Sequence, residues 1–419
     1  MYVVITAGGK GTRVASVNSS VPKPLLNING KPVLQHQIEC MKRQGLTRIT
    51  LTIGHLGEQI RSYLGDGSWL GVEIDYLQED VPLGTAGALY YLKGYIEEDF
   101  LLINGDLIFD VDLRRLMAFH QAHHAAATLL VHPNDHPYDS GLVVARSDGC
   151  VTDWLTKEDE RRWYRNCVNA GIHVLSPRLL DGLSSPQKTD LDRDLLRPHI
   201  STGKIYAYRS PEYVKDMGTP ERIAAVEQDL NNGMVQRKNL SHRQRAVFLD
   251  RDGTINRYVG FLRKPEDFFL LDGVAEAIRT INQSGYLAIV VTNQPVIARG
   301  EVTWSQLDEI HRKMETLLGQ VGAYVDDIFI CPHHPDRGFP GEIPTYKIDC
   351  DCRKPKPGLL LQAARHYHID LENSWMLGDS PQDLAAGQSA GCHTILVSNS
   401  LSLRDAVNQI GLEEAWNNT

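Results

Sequence analysis

Short apolar runs that give way to glycine, polar or charged residues recur along the chain. They cover residues 2–6, 100–103, 246–249, 288–291 and 375–377. Apolar runs of this length are typical of parallel strands that are covered on both faces. The polar residues that follow such strands meet at one edge of the sheet, where open α/β sheets bind their ligands. The pattern therefore predicts an α/β fold in both halves of the chain, with candidate sites at the strand ends.

The length of 419 residues exceeds one ordinary hydrophobic core, so we expect two domains. The predicted boundaries are 1–232 for the first domain, 233–244 for a linker, 245–405 for the second domain and 406–419 for a C-terminal tail. The linker is predicted from a polar, basic run with little apolar periodicity.

Composition narrows the class of protein. A hydrophobic content of 42% and a charged content of 23% are typical of a soluble globular protein. The net charge of −9 and the lack of a dense basic run argue against nucleic acid as a partner. No apolar stretch is long enough to span a membrane, and the chain enters a strand pattern at once, without a signal peptide. The seven cysteines, an odd number, favour a reducing cytoplasm over a disulfide framework, and the oligomeric state stays open.

A glycine-rich loop follows the first predicted strand. Three glycines within four positions let backbone N–H groups point at a ligand, which is how proteins cradle phosphate. The loop is not a P-loop, because Lys10 is followed by Gly11, and Val14 stands where a dinucleotide fingerprint needs glycine. By itself the loop predicts either a phosphate site or only a tight turn. Its candidate phosphate-binding residues are Gly8, Gly9, Gly11 and Thr12.

This loop and five later motifs together resemble the sugar-phosphate nucleotidyltransferases. In the order of that family they are AGGKGTR at 7–13, PKPL at 22–25, PLGTAG at 82–87, NGD at 104–106, NAG at 169–171 and DMGTP at 216–220. The resemblance spans nearly the whole first half. It implies a Rossmann-like sheet that binds a nucleoside triphosphate at its first loop and a sugar 1-phosphate opposite.

The resemblance also implies roles for single residues. Attack of a sugar phosphate on the α-phosphorus requires that negative charge be neutralised, a task that suits Arg13 and Lys23. Asp106 and Asp216 would hold Mg²⁺, the simpler alternatives being a turn and a helix cap. The implied contacts to the base are Leu83, Gly84, Thr85 and Gly87, and those to the sugar are Asn169 and Gly171.

One position departs from this family. Thr156-Lys157 stands where the family often has Glu-Lys. Lys157 remains a candidate contact for the sugar phosphate, whereas the missing acid puts the usual contact to a hexose hydroxyl in doubt. Residues 20–92 look most like the guanylyltransferases that act on manno-configured sugar phosphates, including the branch that uses heptose 1-phosphate.

The second half begins with two carboxylates at a strand end. Asp250 and Asp252 follow the apolar run at 246–249 in the sequence FLDRDGTIN. One carboxylate there could attack phosphorus while the other carries the proton to and from the leaving and attacking oxygens. The simpler alternative is a turn or a helix cap.

Polar residues also follow the later strands of this half. Thr292 and Asn293 end one strand, Asp379 ends another, and Lys354 lies in the run RKPKP. Asp383, four residues beyond Asp379, either supports the site or caps a helix. Strand ends of this kind would gather a nucleophile, a phosphate clamp and Mg²⁺ at one edge of the sheet.

Together these motifs resemble the haloacid dehalogenase superfamily of phosphatases. By that resemblance Asp250 is the nucleophile that forms an aspartyl-phosphate, and Asp252 is the general acid and base. Thr292 and Lys354 would bind the transferring phosphoryl group, with Asn293 beside them. The implied Mg²⁺ ligands are Asp250, the carbonyl of Asp252, and Asp379.

A cysteine-histidine cluster lies in the same half. Its candidate ligands are Cys331, His333, Cys350 and Cys352, with His334 as a fifth. Three thiolates and one imidazole form a closed structural zinc set, and an odd total of seven cysteines favours a metal over disulfides. The alternative is a set of reduced cysteines beside a loop histidine. Zinc would fix Arg353, our candidate for a second substrate phosphate, next to Cys352.

The motifs FLDRDGTIN, TNQ, CPHH and CDCRKPKPG resemble the heptose 1,7-bisphosphate phosphatases, and also the histidinol-phosphate phosphatases. Pro295-Val296 departs from the heptose pattern TNQSGIARG. One half would then produce the sugar 1-phosphate that the other consumes. We predict a bifunctional enzyme that removes the C7 phosphate and transfers a guanylyl group from GTP, giving GDP-heptose. The alternatives are a hexose 1-phosphate or another nucleotide, a phosphatase of the histidinol type, and a scaffold with one inactive domain.

Overall fold

A computed structural model describes residues 1–9 and 20–412. The strands in the first part of the chain are β1 Tyr2–Thr6, β2 Asn27–Ile28, β3 Lys31–Pro32, β4 Arg48–Ile53, β5 Glu73–Gln78, β6 Phe100–Asn104, β7 Leu107–Asp110, β8 Ala127–His132, β9 Leu142–Ala145, β10 Val151–Leu155, β11 Val168–Leu175, β12 Ile205–Arg209 and β13 Tyr213–Asp216. The helices there are α1 Val33–Arg43, α2 Gly57–Leu64, α3 Leu113–Ala122, α4 Pro220–Asn231 and α5 Met234–Arg237.

The remaining elements belong to the second half. Its strands are β14 Ala246–Leu249, β15 Leu287–Asn293, β16 Asp327–Cys331, β17 Trp375–Gly378 and β18 His393–Leu396. Its helices are α6 Val274–Ser284, α7 Pro295–Ala298, α8 Trp304–Gly319, α9 Gly358–Tyr367, α10 Pro381–Ala390 and α11 Leu403–Ile410. Strands and helices alternate through both halves, and the predicted α/β fold class is confirmed.

The first sheet has nine strands within the described residues, in the order β10-β9-β11-β6-β1-β4-β5, and β8 pairs with β11 and β12. Strand β1 lies between β4 and β6 and is parallel to both, with Thr6 opposite Thr52 and Asn104. Val3 and Ile5 of β1 are fully buried in the core. The carboxyl ends of β1, β4 and β6 therefore share one edge, from which the glycine loop and the NGD motif begin.

A two-stranded antiparallel sheet brings the two predicted metal ligands of the first half together. Strands β7 and β13 pair with Asp216 opposite Leu107. The Met217 N–H continues this pairing and donates to the Asp106 carbonyl at 2.9 Å. Residues separated by more than a hundred positions thus become neighbours because a late strand pairs with an early one.

The second sheet is fully parallel, in the order β16-β15-β14-β17-β18. Its central strand β14 is buried on both faces. Val247 and Leu249 point into one apolar cluster, and Ala246 and Phe248 point into another. This alternation is the period of two expected for a strand between two layers of helices. Asp250, the next residue, lies at the carboxyl edge of the sheet's centre.

The compact units of the chain are not continuous in sequence. One unit holds Met1–His132, Val143–Leu155 and Asn169–Asn239, and the other holds Pro133–Leu142, Thr156–Val168 and everything from Leu240 onward. Two segments that lie between strands of the first sheet therefore belong to the second unit. Within that unit the Tyr164 N–H donates to Thr316 Oγ1 on α8 at 2.9 Å.

Two stretches that we predicted to lie outside the domains are folded. Helix α5, inside the predicted linker, buries Met234 and Val235 against Val226. Helix α11 buries Ala406 and Val407, which fall in the predicted tail. Met234 and Val235 are isolated in a polar run and show no helical period, whereas Leu403, Ala406, Val407 and Ile410 recur at helical spacing, and the predicted boundary at residue 405 cut through that helix. Residues 413–419 of that tail lie outside the described residues.

Candidate active sites

The carboxyl edge of the second sheet gathers the predicted phosphatase residues. The Asp250 N–H donates to the Leu377 carbonyl of β17 at 3.0 Å, which fixes the start of the loop after β14. Thr292, near the end of β15, is almost completely buried. Parallel pairing of β14 with β15 and β17 places these groups and Asp379 at the same edge.

Lys354 reaches this edge from a loop. Its ammonium lies 2.5 Å from Asp250 Oδ1 and 2.6 Å from Asp383 Oδ1, and it donates to the Val291 carbonyl at 2.8 Å. Asn293 holds the lysine backbone, since its side-chain amide donates to the Lys354 carbonyl at 3.0 Å and its oxygen accepts the Lys354 N–H at 3.1 Å. Asn293 therefore fixes the backbone of the loop that carries Lys354 at the sheet edge.

The charges at this edge do not balance. Asp250, Asp379 and Asp383 can each offer an oxygen within 4.8 Å of the others, and the single ammonium of Lys354 contacts only Asp250 and Asp383 of these three. Burial raises the pKa of Asp250 to about 7 despite the lysine, and burial followed by the charge of Asp383 raises the pKa of Asp379. Three carboxylate oxygens with excess negative charge fit a hard divalent cation such as Mg²⁺.

Asp383 both caps a helix and contacts a group of the candidate site, the two alternatives that the sequence left open. Its Oδ2 accepts from Ser380 Oγ at 2.6 Å and from the Ser380 N–H at 3.1 Å, which caps the start of α10. Its Oδ1 contacts Lys354. Burial would lower the pKa of Lys354, but Asp250 and then Asp383 raise it above its ordinary value. The helix cap thus also stabilises the charged lysine beside the candidate nucleophile.

The carboxylate of Asp252 is bound by a different set of groups. Arg251 Nη2 donates to its two oxygens at 2.9 and 2.7 Å, Gln294 Nε2 donates at 2.8 Å, and Asn256 Nδ2 donates at 3.1 Å. Burial raises the pKa of Asp252, but Arg251 and the amide donors hold it below its ordinary value. Arg251, Asn256 and Gln294 all lie in motifs that we had recognised, yet spacing alone did not show that they bind one carboxylate.

Gly253 allows the backbone to pass close to the side chain of Asp379. Its φ of +89° lies in the left-handed region, and a Cβ there would lie 1.9 Å from Asp379 Oδ2. Any side chain would therefore strain the backbone and displace the acid.

The cysteine-histidine cluster forms as predicted. Cys331 Sγ lies 3.5 Å from Cys350 Sγ and 3.3 Å from Cys352 Sγ, and His333 Nδ1 lies 3.3 Å from Cys352 Sγ. A tetrahedron with Zn–S bonds of about 2.3 Å has edges of about 3.8 Å, whereas a disulfide requires about 2.0 Å. These separations fit a metal and not a disulfide. His334 is outside the set, because its Nδ1 accepts the Asp336 N–H at 3.2 Å.

Arg353 is tied to this loop. Its Nη1 donates to the His333 carbonyl at 3.2 Å. The loop that carries the candidate metal ligands therefore sets the position of the Arg353 guanidinium, which we predict to bind a second substrate phosphate.

In the first unit the predicted lysine lies near one of the two predicted metal ligands. Lys23 Nζ is 3.9 Å from Asp106 Oδ2. Asp216 is instead bound by Arg222, whose Nη1 lies 2.8 and 2.7 Å from its two oxygens. Arg222, in the first turn of α4, was not predicted as a site residue. A metal at Asp106 and Asp216 fits the donor chemistry but must compete with Arg222 for one acid.

The start of the glycine loop approaches the predicted base-binding loop. Glu79 carries an oxygen 3.1 Å from where a Cβ of Gly8 would lie, and its Oε2 accepts the Leu83 N–H at 3.1 Å. Gly9 is described, and a Cβ there would meet no atom within 4 Å. Gly11, Thr12 and Arg13 lie outside the described residues.

The loop from Leu83 to Gly87 is held by a second segment. The Ala86 N–H donates to the Thr189 carbonyl at 3.0 Å, and Thr85 Oγ1 accepts the Leu191 N–H at 2.7 Å. A Cβ on Gly84 would lie 2.5 Å from the Thr189 carbonyl oxygen, and one on Gly87 would lie 2.1 Å from that of Gln187. These glycines therefore permit close backbone packing in addition to any contact with a base.

The predicted sugar contact Asn169 binds an acid that we had not singled out. Its Nδ2 lies 3.4 Å from Asp192 Oδ1, and His173 Nε2 donates to its Oδ1 at 3.1 Å. Burial, followed by the charge of Asp190, raises the pKa of Asp192 to about 7. Gly171 has a φ of +75° and packs against Asn104. Lys157 is exposed and lies in a segment of the second unit.

Residues 2–233, more than half of the chain, match the family model described as nucleotidyl transferase. The chain belongs to the nucleotidyl transferase family. Residues 351–415 match a second family model, described as HAD-hydrolase-like. The nucleotidyl transferase unit and the phosphatase unit together make the protein a bifunctional enzyme, as predicted.

Curated relatives match the phosphatase unit. The D-glycero-beta-D-manno-heptose-1,7-bisphosphate 7-phosphatase of Escherichia coli K12 is 41% identical over 149 residues, which are 36% of this chain and 76% of that protein. The protein of the same name from Pasteurella multocida is 43% identical over 155 residues, which are 37% of this chain and 82% of that protein. No helix among the described residues has the length and apolar character needed to cross a membrane.

Among solved structures, HddC from Yersinia pseudotuberculosis is similar to the nucleotidyl transferase unit. It is 28% identical, with a TM-score of 0.49, and the similarity covers 55% of this chain and 99% of that one.

Proposed function

We propose that the protein catalyses two consecutive steps in the activation of a heptose. Its phosphatase unit removes the C7 phosphate of D-glycero-D-manno-heptose 1,7-bisphosphate. Its nucleotidyl transferase unit then joins the resulting D-glycero-alpha-D-manno-heptose 1-phosphate to a guanylyl group from GTP, giving GDP-heptose and pyrophosphate. The observation that carries this proposal is the presence, in one chain, of a unit related to heptose bisphosphate phosphatases and a unit of the nucleotidyl transferase family.

In the phosphatase step Asp250 attacks the C7 phosphorus and the bond from phosphorus to the sugar oxygen breaks. Asp252 in its protonated form gives a proton to that departing oxygen, and Lys354 neutralises charge on the phosphoryl group, with Thr292 beside it. Water then attacks the aspartyl-phosphate and passes its proton to Asp252, which releases phosphate and restores Asp250. The contacts between Lys354 and Asp250 support this assignment.

Metals complete the phosphatase unit in this proposal. Asp250, Asp379 and the carbonyl of Asp252 would hold Mg²⁺, which when bound supplies positive charge to the transferring phosphoryl oxygens. Zinc on Cys331, His333, Cys350 and Cys352 would be structural and would fix Arg353 for the C1 phosphate. Zinc analysis of purified protein would then give about one equivalent for the wild type and far less for Cys352→Ser.

In the nucleotidyl step an oxygen of the sugar 1-phosphate attacks the α-phosphorus of GTP, and pyrophosphate leaves. Arg13 and Lys23 would neutralise the triphosphate, and Asp106 and Asp216 would hold Mg²⁺, which offsets negative charge when bound. The 3.9 Å approach of Lys23 to Asp106 supports a shared site for cation and phosphate.

The decisive experiment supplies the α and β anomers of the bisphosphate separately, with Mg²⁺ and each of GTP, ATP and CTP, and resolves the products. We expect phosphate release and GDP-heptose in one vessel from the α anomer with GTP. Phosphate release without a nucleotide sugar from any triphosphate would refute the second step. If mannose 1-phosphate proves the better acceptor, the heptose assignment of the transferase fails while the reaction type stands.

A further inference from the structure

Arg251 lies between the two candidate catalytic acids and is fully buried. A buried guanidinium is costly unless its charge and its N–H donors are matched by partners. On one side it donates from Nη2 and Nε to the carboxylate of Asp252. On its other side Nη1 meets His311 Nε2 at 3.0 Å. The guanidinium therefore bridges the candidate proton carrier and a histidine.

The direction of this second hydrogen bond is determined. Guanidinium nitrogen can only donate, so Nε2 of His311 must accept and the imidazole must be neutral with its proton on Nδ1. Burial, followed by the charges of Arg251 and Arg165, keeps the pKa of His311 well below its ordinary value, which agrees with a neutral ring.

His311 is an unusual choice for a core position. It lies on α8 and is completely buried, and its Nδ1 has no hydrogen-bond partner among the described residues. An unsatisfied buried donor is destabilising, so an apolar side chain would pack there at lower cost. The acceptor that His311 presents to Arg251 is the one polar contact that offsets this cost in the described structure.

We propose that His311 is a positioning residue of the phosphatase site, which holds the Arg251 guanidinium in the plane that directs the Asp252 carboxylate toward the leaving oxygen. Gln294 and Asn256 donate to the same carboxylate but are neutral, so Arg251 is the charged group that orients it. His311 acts through Arg251 and does not touch the reacting atoms. This inference rests on the proposed phosphatase activity.

The test compares substrates whose leaving groups differ in their need for a proton. A sugar phosphate leaves as an alkoxide and depends on the general acid, whereas 4-nitrophenyl phosphate leaves as a stabilised phenolate. General acid transfer is typically worth ~10²–10⁴-fold, so a misdirected Asp252 should cost about tenfold or more for the sugar phosphate. We expect His311→Leu to lower kcat for the heptose bisphosphate by that factor and for the aryl phosphate by less than about threefold.

Two further variants separate positioning from packing. His311→Gln keeps an acceptor and should recover most of the sugar-phosphate activity. Ile310→Val, a neighbouring buried position on α8, should lower stability slightly and leave the ratio of the two activities unchanged.

Equal loss of both activities in His311→Leu, with an unchanged ratio, would overturn the positioning role and leave His311 a structural residue. Failure of His311→Gln to restore the ratio would also overturn it. If instead the wild-type protein releases no phosphate from either substrate, the proposed phosphatase function has failed, and the positioning role fails with it.

Discussion

The two candidate sites differ in how far their charged groups are already paired. In the phosphatase unit a buried lysine contacts two carboxylates within 2.6 Å, and a buried arginine holds the carboxylate of a third acid. In the nucleotidyl transferase unit Lys23 is 3.9 Å from Asp106, and the second candidate metal ligand is occupied by Arg222. Burial explains the tight pairing in the phosphatase unit, because buried charges must be matched within the protein.

The largest effect should follow from removing the candidate nucleophile. Asp250→Asn should lower phosphate release by at least about 10³-fold, because no side chain remains to form the aspartyl-phosphate. Nucleotidyl transfer with sugar 1-phosphate supplied directly should keep its rate. Measuring the two activities on the same preparation checks both statements, and a joint loss would mean that the sites are not chemically independent.

A large stability effect should follow from breaking a buried ion pair in the second unit. Arg165 lies 2.7 Å from Glu315, which is 1% exposed, and 2.8 Å from Asp308. Arg165→Ala leaves Glu315 buried without its cation and should destabilise that unit by about 3 kcal/mol in denaturant unfolding.

The same segment provides the control for that measurement. Arg162 forms an exposed pair with Glu266, and Arg162→Ala should cost less than about 1 kcal/mol. Equal effects of the two variants would show that Thr156–Val168 is not held by Glu315.

A smaller effect should appear in the pH dependence of the folding stability of the nucleotidyl transferase unit. Because burial raises the pKa of Asp192 to about 7, the folded state binds its proton more tightly than the unfolded state does. The resulting stability is full below the unfolded pKa and is lost as the pH rises through about 7.

The unfolding temperature of the wild type should fall between pH 5 and pH 8. In Asp192→Asn this fall should be smaller by about 2–5 °C. Asp194→Asn, a neighbouring acid whose pKa is lowered to about 2 by Arg193, is the matched control and should leave that fall in place. An unchanged pH dependence in Asp192→Asn would show that its carboxyl is ionised throughout.

The smallest effect concerns the metal affinity of the transferase site. Arg222→Ala frees Asp216 and should lower the Mg²⁺ concentration for half-maximal nucleotidyl transfer by about threefold, since partly exposed ion pairs contribute only about 0.2–1 kcal/mol. A rise in that concentration would mean that Arg222 assists the site rather than competing with the metal. Phosphate release should not respond to this change.

The sequence predicted most of what strand ends and short motifs determine. The α/β class, the position of Asp250 at a sheet edge and the grouping of Cys331 with Cys352 followed from local patterns and spacing. His311 and Arg222 could not be found that way, because neither lies in a run that indicates chemistry. His311 reaches Arg251 across 60 positions through the packing of α8.

The helix Met234–Arg237, which lies inside the predicted linker, could not be predicted for a related reason. The buried residues Met234 and Val235 are adjacent and isolated in a polar run, so they form no helical period. Their burial depends on β7 and β13, which pair through contacts that no local pattern contains.

The assignment of Thr156–Val168 to the second unit has a consequence for synthesis on the ribosome. Arg165 emerges 150 residues before Glu315, the acid that it binds. The strands on either side of Thr156–Val168, β10 and β11, can each pair with β9 while that segment still lacks its partner helix, and contacts of such long separation form late. The segment Thr156–Val168 therefore cannot form its contacts with α8 until the C-terminal half has been synthesised.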